Sequence, residues 1–272
     1  MIAVGLVLII LAITKEYEPM LLLPIGFGCI LVNLPLAAVL GTPENPGFLR
    51  VLYNAGITTE LFPLLIFIGI GAMIDFSPLL KQPVMIFFGA AAQFGIFAAM
   101  MLAICANSII PGIFSLQESA AVGIIGAADG PTTIFVGNLF APKYIGPLSV
   151  AAYSYMSLVP IIQPPVIRAL TTKKERRIHM DNDFGKPIRR PVLIAFPIIV
   201  TLVVGFVAPE GVPLVGSLMF GNLIRECGVL KRLSAAAQNE LANLVTILLG
   251  ITIGSSMTGE AFLQWNTLLI LL

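Results

Sequence analysis

Residues 119–141 read SAAVGIIGAADGPTTIFVGNLFA. The stretch is as long as a bilayer-spanning helix, about 20 residues, yet its centre, AADGPTT, holds an acid, a glycine and a proline. Pro131 has no amide to donate and disfavours helix at Gly130, so a helix must break there. Unwound backbone at membrane depth persists only where protein or a water-filled cavity satisfies it. The break leaves a half-helix C-terminus near Ala127 and a half-helix N-terminus near Thr132, with Asp129 between them. Carbonyls at the first end carry partial negative charge and can ligate a cation alongside a carboxylate. A charge at the bilayer centre costs roughly 2.5–3.5 kcal/mol on insertion scales. Two readings of Asp129 stand together: a cap accepting from the amides of Thr132 or Thr133, and a cation or proton site. The backbone of Ala127, Ala128 and Gly130 and the side chains of Thr132 and Thr133 are the accompanying candidate ligands.

The rest of the chain suits that depth. Its 272 residues are 58% hydrophobic and 11% charged, against about 25% charged in a soluble domain, and the mean hydropathy is +1.00. A net charge of +1 excludes a basic field for nucleic acid. Cys29, Cys105 and Cys227 have no metal or disulfide spacing, and His179, among charges, reads as a solvated loop residue. The fold class is therefore all-α, a polytopic membrane protein. Apolar runs at 20–40, 61–80, 84–106, 144–167, 191–208 and 240–258 are candidate spans. The run 2–13 is short for one, and 262–272 is still apolar where the sequence stops, so both ends read as clipped. Residues 168–190 hold eight of the fifteen basic residues and are assigned to the cytoplasm. Counting spans backward puts Met1 and 41–60 inside and Lys81–Gln82 outside.

A weak self-similarity adds a second theme. LRVLYNAGITTEL (49–61) resembles LIRECGVLKRLSAAAQNEL (223–241), and each precedes a Gly-rich apolar run. Opposed repeats around a discontinuous central helix are a transporter design. The chain divides accordingly into a first repeat, 1–167, broken around 128–131, a cytoplasmic loop, 168–190, and an incomplete second repeat, 191–272. Glu60 and Glu240 precede helices and suit their positive ends. Asp75 reads as an interfacial acid or a further site residue. Tyr153 and Tyr155 stand well inside their run, where a buried phenol needs a partner. Pro160, Pro164 and Pro165 should bend or end that helix, and Gln163 is either a neutral ligand or a group satisfying freed backbone.

GIGAMIDFSPLL (69–80), GAADGPTTIF (126–135), YSYMSLVPIIQPP (153–165), ALTTKKERRI (169–178) and GSLMFGNLIRECGVLKRLSAAAQNELAN (216–243) together resemble the β subunit of the sodium-translocating, biotin-dependent decarboxylases. That family acts on oxaloacetate, methylmalonyl-CoA or glutaconyl-CoA. The resemblance implies a translocase-type lyase subunit of a prokaryotic inner (plasma) membrane. It would decarboxylate carboxybiotin and couple this to Na⁺ export with proton uptake. Implied partners are a biotin carrier subunit, a carboxyltransferase subunit, which chooses the acid, and a small membrane-anchor subunit, with homo-oligomers within the complex. By the same resemblance Asp129 is the central Na⁺/H⁺ residue and Tyr155 is a second catalytic residue. The family's chains continue into further helices carrying an Asn, a Ser and an Arg of the ion path, so this chain reads as lacking its C-terminal helices. The alternative is a secondary cation/proton antiporter or carboxylate transporter of inverted-repeat fold.

Overall fold

The computed structural model describes residues 1–35, 38–42, 44–178, 187–262 and 270, all helix or connection apart from one isolated bridge, Gly41 to Pro46. His179 lies outside the described residues. Helix α1 (Ile2–Thr14) ends before Glu16 and Glu18, both at positive φ, and Pro19 then opens α2 (Pro19–Val32). The pair forms a tight hairpin because Gly5 and Gly26 face each other: a Cβ on either would lie 2.7 Å from the other's carbonyl oxygen. Helix α3 (Phe48–Tyr53) runs into a π turn, Asn54–Thr58. Glu60, at φ 62°, breaks the backbone before α4 (Leu61–Met73), and the two segments meet at 59°. The apolar run 61–80 is thus a helix ending at Met73 followed by the short α5 (Ser77–Lys81). Helix α6 (Ile86–Ala92) and most of α7 (Phe94–Ile109) lie within one apolar stretch, Pro83–Asn107, which is largely exposed, with Ala103 buried. That bare surface suits lipid.

The segment quoted first folds differently from a kinked span. Helix α8 (Leu116–Gly123) begins at a capping box, Ser115 with Glu118, and tightens into a 3₁₀ turn, Ile124–Ala127. Helix α9 (Gly130–Phe140) then runs back toward the start of α8. Lys143 Nζ sits 2.5 Å from Glu118 Oε1, and the rings of Phe114 and Tyr144 meet edge to face at 6.1 Å. Both arms therefore open on one side, and the break is the tip of a hairpin.

Helix α10 (Ile145–Leu170) continues through its prolines, so of the two expected outcomes, a bend or an end, the helix does not end there. Helix α11 (Arg190–Val207) matches the run 191–208. Helix α12 (Val212–Glu226) has no counterpart among the apolar runs, because Gly216, Ser217, Gly221 and Asn222 dilute its hydropathy. Helix α13 (Lys231–Ala236), a π turn (Ala237–Leu241) and α14 (Ala242–Ser255) make one apolar stretch, Lys231–Ser255. Helix α15 (Gly259–Phe262) follows.

Packing between the halves is reciprocal. Helix α2 lies on α14 through Gly28 and Gly254, whose absent Cβ atoms leave room for the Ile251 and Ile25 carbonyls. Helix α12 lies on α4 in the same manner, through Gly221 and Gly71 against the Ile68 and Leu218 carbonyls. The bonds at these crossings correspond too: Asn222 Nδ2 donates to the Ile74 carbonyl at 2.9 Å, where Cys29 Sγ reaches the Met257 carbonyl at 3.9 Å. The two π turns, NAGIT and AQNEL, each begin 17 residues before a paired glycine, Gly71 and Gly254, whereas the similarity read in sequence sets them three residues out of step. Glu240 consequently lies inside its turn, while Glu60 sits at the break.

The connections gather at two ends. At one end Arg225 donates to the Met73 carbonyl, Arg190 to the Cys227 carbonyl, and Phe76 packs on Phe196. At the other, Asn33 bridges to Met257 and Gly259, Arg50 and Tyr53 line a cavity with Ser255 and Ser256, and Gly146 abuts Ser256. The hairpin mouth, Ser115 to Lys143, shares this second end with Gly146.

Candidate functional site

The hairpin tip is built by residues that cannot continue a helix. Ala128 is left-handed at φ 52°, a conformation costing a non-glycine residue roughly 1–2 kcal/mol, and Asp129 is extended. The helical donor for the Ala127 carbonyl would be residue 131, a proline without an N–H. The donor for the Gly126 carbonyl would be Gly130, whose N–H instead points at Met156 Sδ, 3.3 Å away. The expected half-helix ends thus exist, with carbonyls of Gly126 and Ala127 released from the helical ladder. Helix α9 is 11 residues long, so the tip lies about 16 Å from the mouth, roughly half the hydrocarbon thickness.

Asp129 is the N-cap of α9, the place the capping reading gave it. Its carboxylate accepts from the Thr132 hydroxyl. Its carbonyl accepts from the amide of Thr133 at 3.0 Å and from the Thr133 hydroxyl at 2.8 Å. Thr133 is fully buried. One carboxylate, two hydroxyls and released carbonyls are hard oxygen donors, the kind that hold alkali and alkaline-earth cations. Among the described residues no three His, Cys, Asp or Glu side chains gather as a metal cluster.

The two tyrosines separate. Tyr153 is fully buried with its ring against Gly130, whereas Tyr155 is 39% exposed. Tyr155 lines an apolar cavity of about 470 Å³ beside Ala128, walled by α7 residues such as Ala99 and Ala103 and by Phe114. Gln163 lies exposed ten residues further along α10, about 15 Å from Tyr153, and is not brought to the tip. Asp75 is likewise elsewhere, accepting from the Ser77 amide at 2.9 Å. That bond and the Ser77 side chain hold its carboxyl below the usual range.

Three contacts around the tip were not singled out in sequence. The sulfur of Met156 takes the Gly130 amide. Gly95 and Gly126 touch backbone to backbone, seating the first arm on α7. Asn138 reaches from α9 to the Thr58 carbonyl and the Glu60 carboxylate, both at 3.4 Å, joining the hairpin to the break before α4. Only the capping box that starts the hairpin had a local sequence pattern, Ser115 with Glu118.

Comparison with known proteins places the chain in a family. Residues 1–272 match the family described as the Na⁺-transporting oxaloacetate decarboxylase beta subunit. The chain is 48% identical over 272 residues to methylmalonyl-CoA decarboxylase subunit beta of Veillonella parvula, covering all of this chain and 69% of that protein. Identity is 46% over 291 residues to the Propionigenium modestum protein of the same name, all of this chain and 72% of that one. A probable oxaloacetate decarboxylase beta chain of Vibrio cholerae is 42% identical over 324 residues, covering all of this chain and 74% of the relative. A whole-length match of that specificity, on a helical apolar chain with an acid at an unwound tip, means that the chain belongs to the Na⁺-transporting decarboxylase beta subunit family.

Proposed function

We propose that Asp129 is the group at which this membrane subunit exchanges Na⁺ for a proton, coupling carboxybiotin decarboxylation to Na⁺ export and proton uptake. The observation that carries this reading is a carboxylate at the tip of an unwound hairpin, amid hydroxyls and carbonyls and with no ion pair to a basic side chain among the described residues. A bare charge at that depth is costly, so the carboxylate is stable with Na⁺ or with a proton and disfavoured when empty. The Thr132 hydroxyl is already turned to the carboxylate, and with Thr133 and the carbonyls of Ala127, Ala128 and Gly130 it supplies the remaining oxygens. Carboxybiotin, brought by a carrier subunit, loses CO₂ when its ring nitrogen gains a proton. Asp129 holds such a proton, and Tyr155, facing the cavity beside Ala128, is its neighbour on the path.

The hairpin also changes the sidedness. Because both arms open on one side, the segment adds no crossing, and the count from the cytoplasmic loop 168–190 reverses for everything before it. Lys15, Lys81, the eight basic residues of 168–190, Arg225, Lys231 and Arg232 then share the cytoplasmic side, leaving Arg50 and Lys143 opposite. Thirteen of fifteen positive charges inside is the expected bias. Met1 and 41–60 lie outside and Lys81–Gln82 inside, opposite to the count that treated 119–141 as a span. The reciprocal crossings of α2 on α14 and α12 on α4 support two repeats inserted in opposed directions. The chain is a multi-pass protein of a prokaryotic plasma membrane, working with a biotin carrier subunit, a carboxyltransferase subunit and a small anchor subunit, and self-associated within the complex.

The test is Na⁺-stimulated decarboxylation and ²²Na⁺ uptake by vesicles holding the assembled complex. Asp129→Asn abolishes both; full retention of either removes Asp129 from the exchange.

A further inference from the structure

Burial without a partner singles out Tyr153. Its side chain is fully buried, and its hydroxyl has no hydrogen-bond partner among the described residues, a condition shared only with the Ser119 hydroxyl there. A phenol sealed from water ordinarily finds a partner, because an unmade bond leaves its desolvation uncompensated. Gly130 sets where the ring lies: a Cβ there would overlap the ring and fall 2.7 Å from the hydroxyl oxygen. The hydroxyl is therefore held beside the first residue of α9. Asp129 immediately precedes that residue as the N-cap of α9. Tyr155, half open to an apolar cavity, has no comparable constraint.

We infer that the Tyr153 hydroxyl is a neutral oxygen ligand of the cation held at Asp129, an inference that rests on the ion-exchange reading above. With Na⁺ at the tip, the phenol turns its hydrogen away and offers a lone pair. With Asp129 protonated, the same oxygen accepts the carboxyl hydrogen. Tyr153 keeps its own proton in both states, so it sets the affinity of the site without changing the number of protons exchanged. The unsatisfied hydroxyl is then an open coordination position rather than a packing fault.

Tyr153→Phe in the assembled decarboxylase keeps the ring against Gly130 and removes only the oxygen. The Na⁺ concentration for half-maximal decarboxylation should rise about tenfold, the loss of one charge-assisted bond, with a smaller change in turnover at saturating Na⁺. The Na⁺-induced rise in melting temperature of the solubilised complex should shrink in parallel. An unchanged Na⁺ half-saturation, with only stability or yield reduced, overturns the assignment. If Asp129→Asn, run alongside, retains Na⁺ stimulation, the ion-exchange reading itself fails. If Asp129→Asn abolishes it while Tyr153→Phe keeps the wild-type Na⁺ dependence, Tyr153 alone is removed. Should the Phe variant not assemble, fluorotyrosine-labelled wild-type complex decides: the Tyr153 ¹⁹F resonance moves on titration with NaCl but not with choline chloride, and a resonance indifferent to both overturns the proposal.

Discussion

Gly130→Ala probes the contact on which the tip is built. The backbone permits it, since the glycines at positive φ among the described residues are Gly41, Gly112 and Gly228. Removing a helical glycine even gains roughly 0.5–1 kcal/mol. Against that, the new methyl would overlap the ring of Tyr153. That ring is fully buried and cannot swing aside as a flexible chain end would. Overpacking of this kind costs about 1–3 kcal/mol, and collision with ring carbons belongs at the upper end. The balance is a net penalty of about 2 kcal/mol, roughly thirtyfold in an equilibrium. Because the ring is fixed, the tip retreats and takes Asp129 with it, so the penalty should appear as weaker Na⁺ dependence as well as a lower melting temperature. Gly137→Ala is the internal control on the same helix: its Cβ would stand 3.1 Å from Leu148 Cδ1, the movable end of a side chain. Na⁺ titrations of decarboxylation and thermal melts of both variants should therefore diverge sharply. If Gly130→Ala and Gly137→Ala behave alike, the ring does not position the tip.

Two further outcomes follow from other parts of the structure. A single reporter cysteine at Gln82 should react with an impermeant maleimide from the cytoplasmic side, and one at Lys143 from the opposite side, after Cys29, Cys105 and Cys227 are replaced; labelling of both from one side would restore 119–141 as a crossing. Asp75→Asn should leave the Na⁺ dependence unaltered and reduce stability by well under roughly 1 kcal/mol at neutral pH, since the site is largely solvated. The Asp75 carboxyl is held below its ordinary value, so its contribution is complete above the unfolded pKa near 3.9 and fades as pH falls below it. Melts of wild type and Asp75→Asn should converge only in acid, and a difference that grows on acidification would contradict the Ser77 bond.

The class of the protein and the position of its break were legible in the residues themselves. Composition is additive along the chain, and Gly130-Pro131 denies the helix its donors wherever the segment packs. Asp129 stands out for the same reason: an acid amid apolar residues is visible without coordinates. The π turns were not legible, since a five-residue widening has no compositional mark. Helix α12 escaped because its small and polar residues, which let α4 approach at Gly221, also lower its hydropathy. Tertiary structure alone decided the direction of the second arm. Nothing within 119–141 distinguishes a kinked crossing from a hairpin; the choice is made by Phe114 on Tyr144 and Glu118 on Lys143, pairs that straddle the segment. The same holds for the tyrosines, two residues apart on one helix and so about 200° apart around its axis. Local sequence gives them nearly equal standing, and only the packing of α9 against α10 turns Tyr153 to Gly130 and leaves Tyr155 at the cavity.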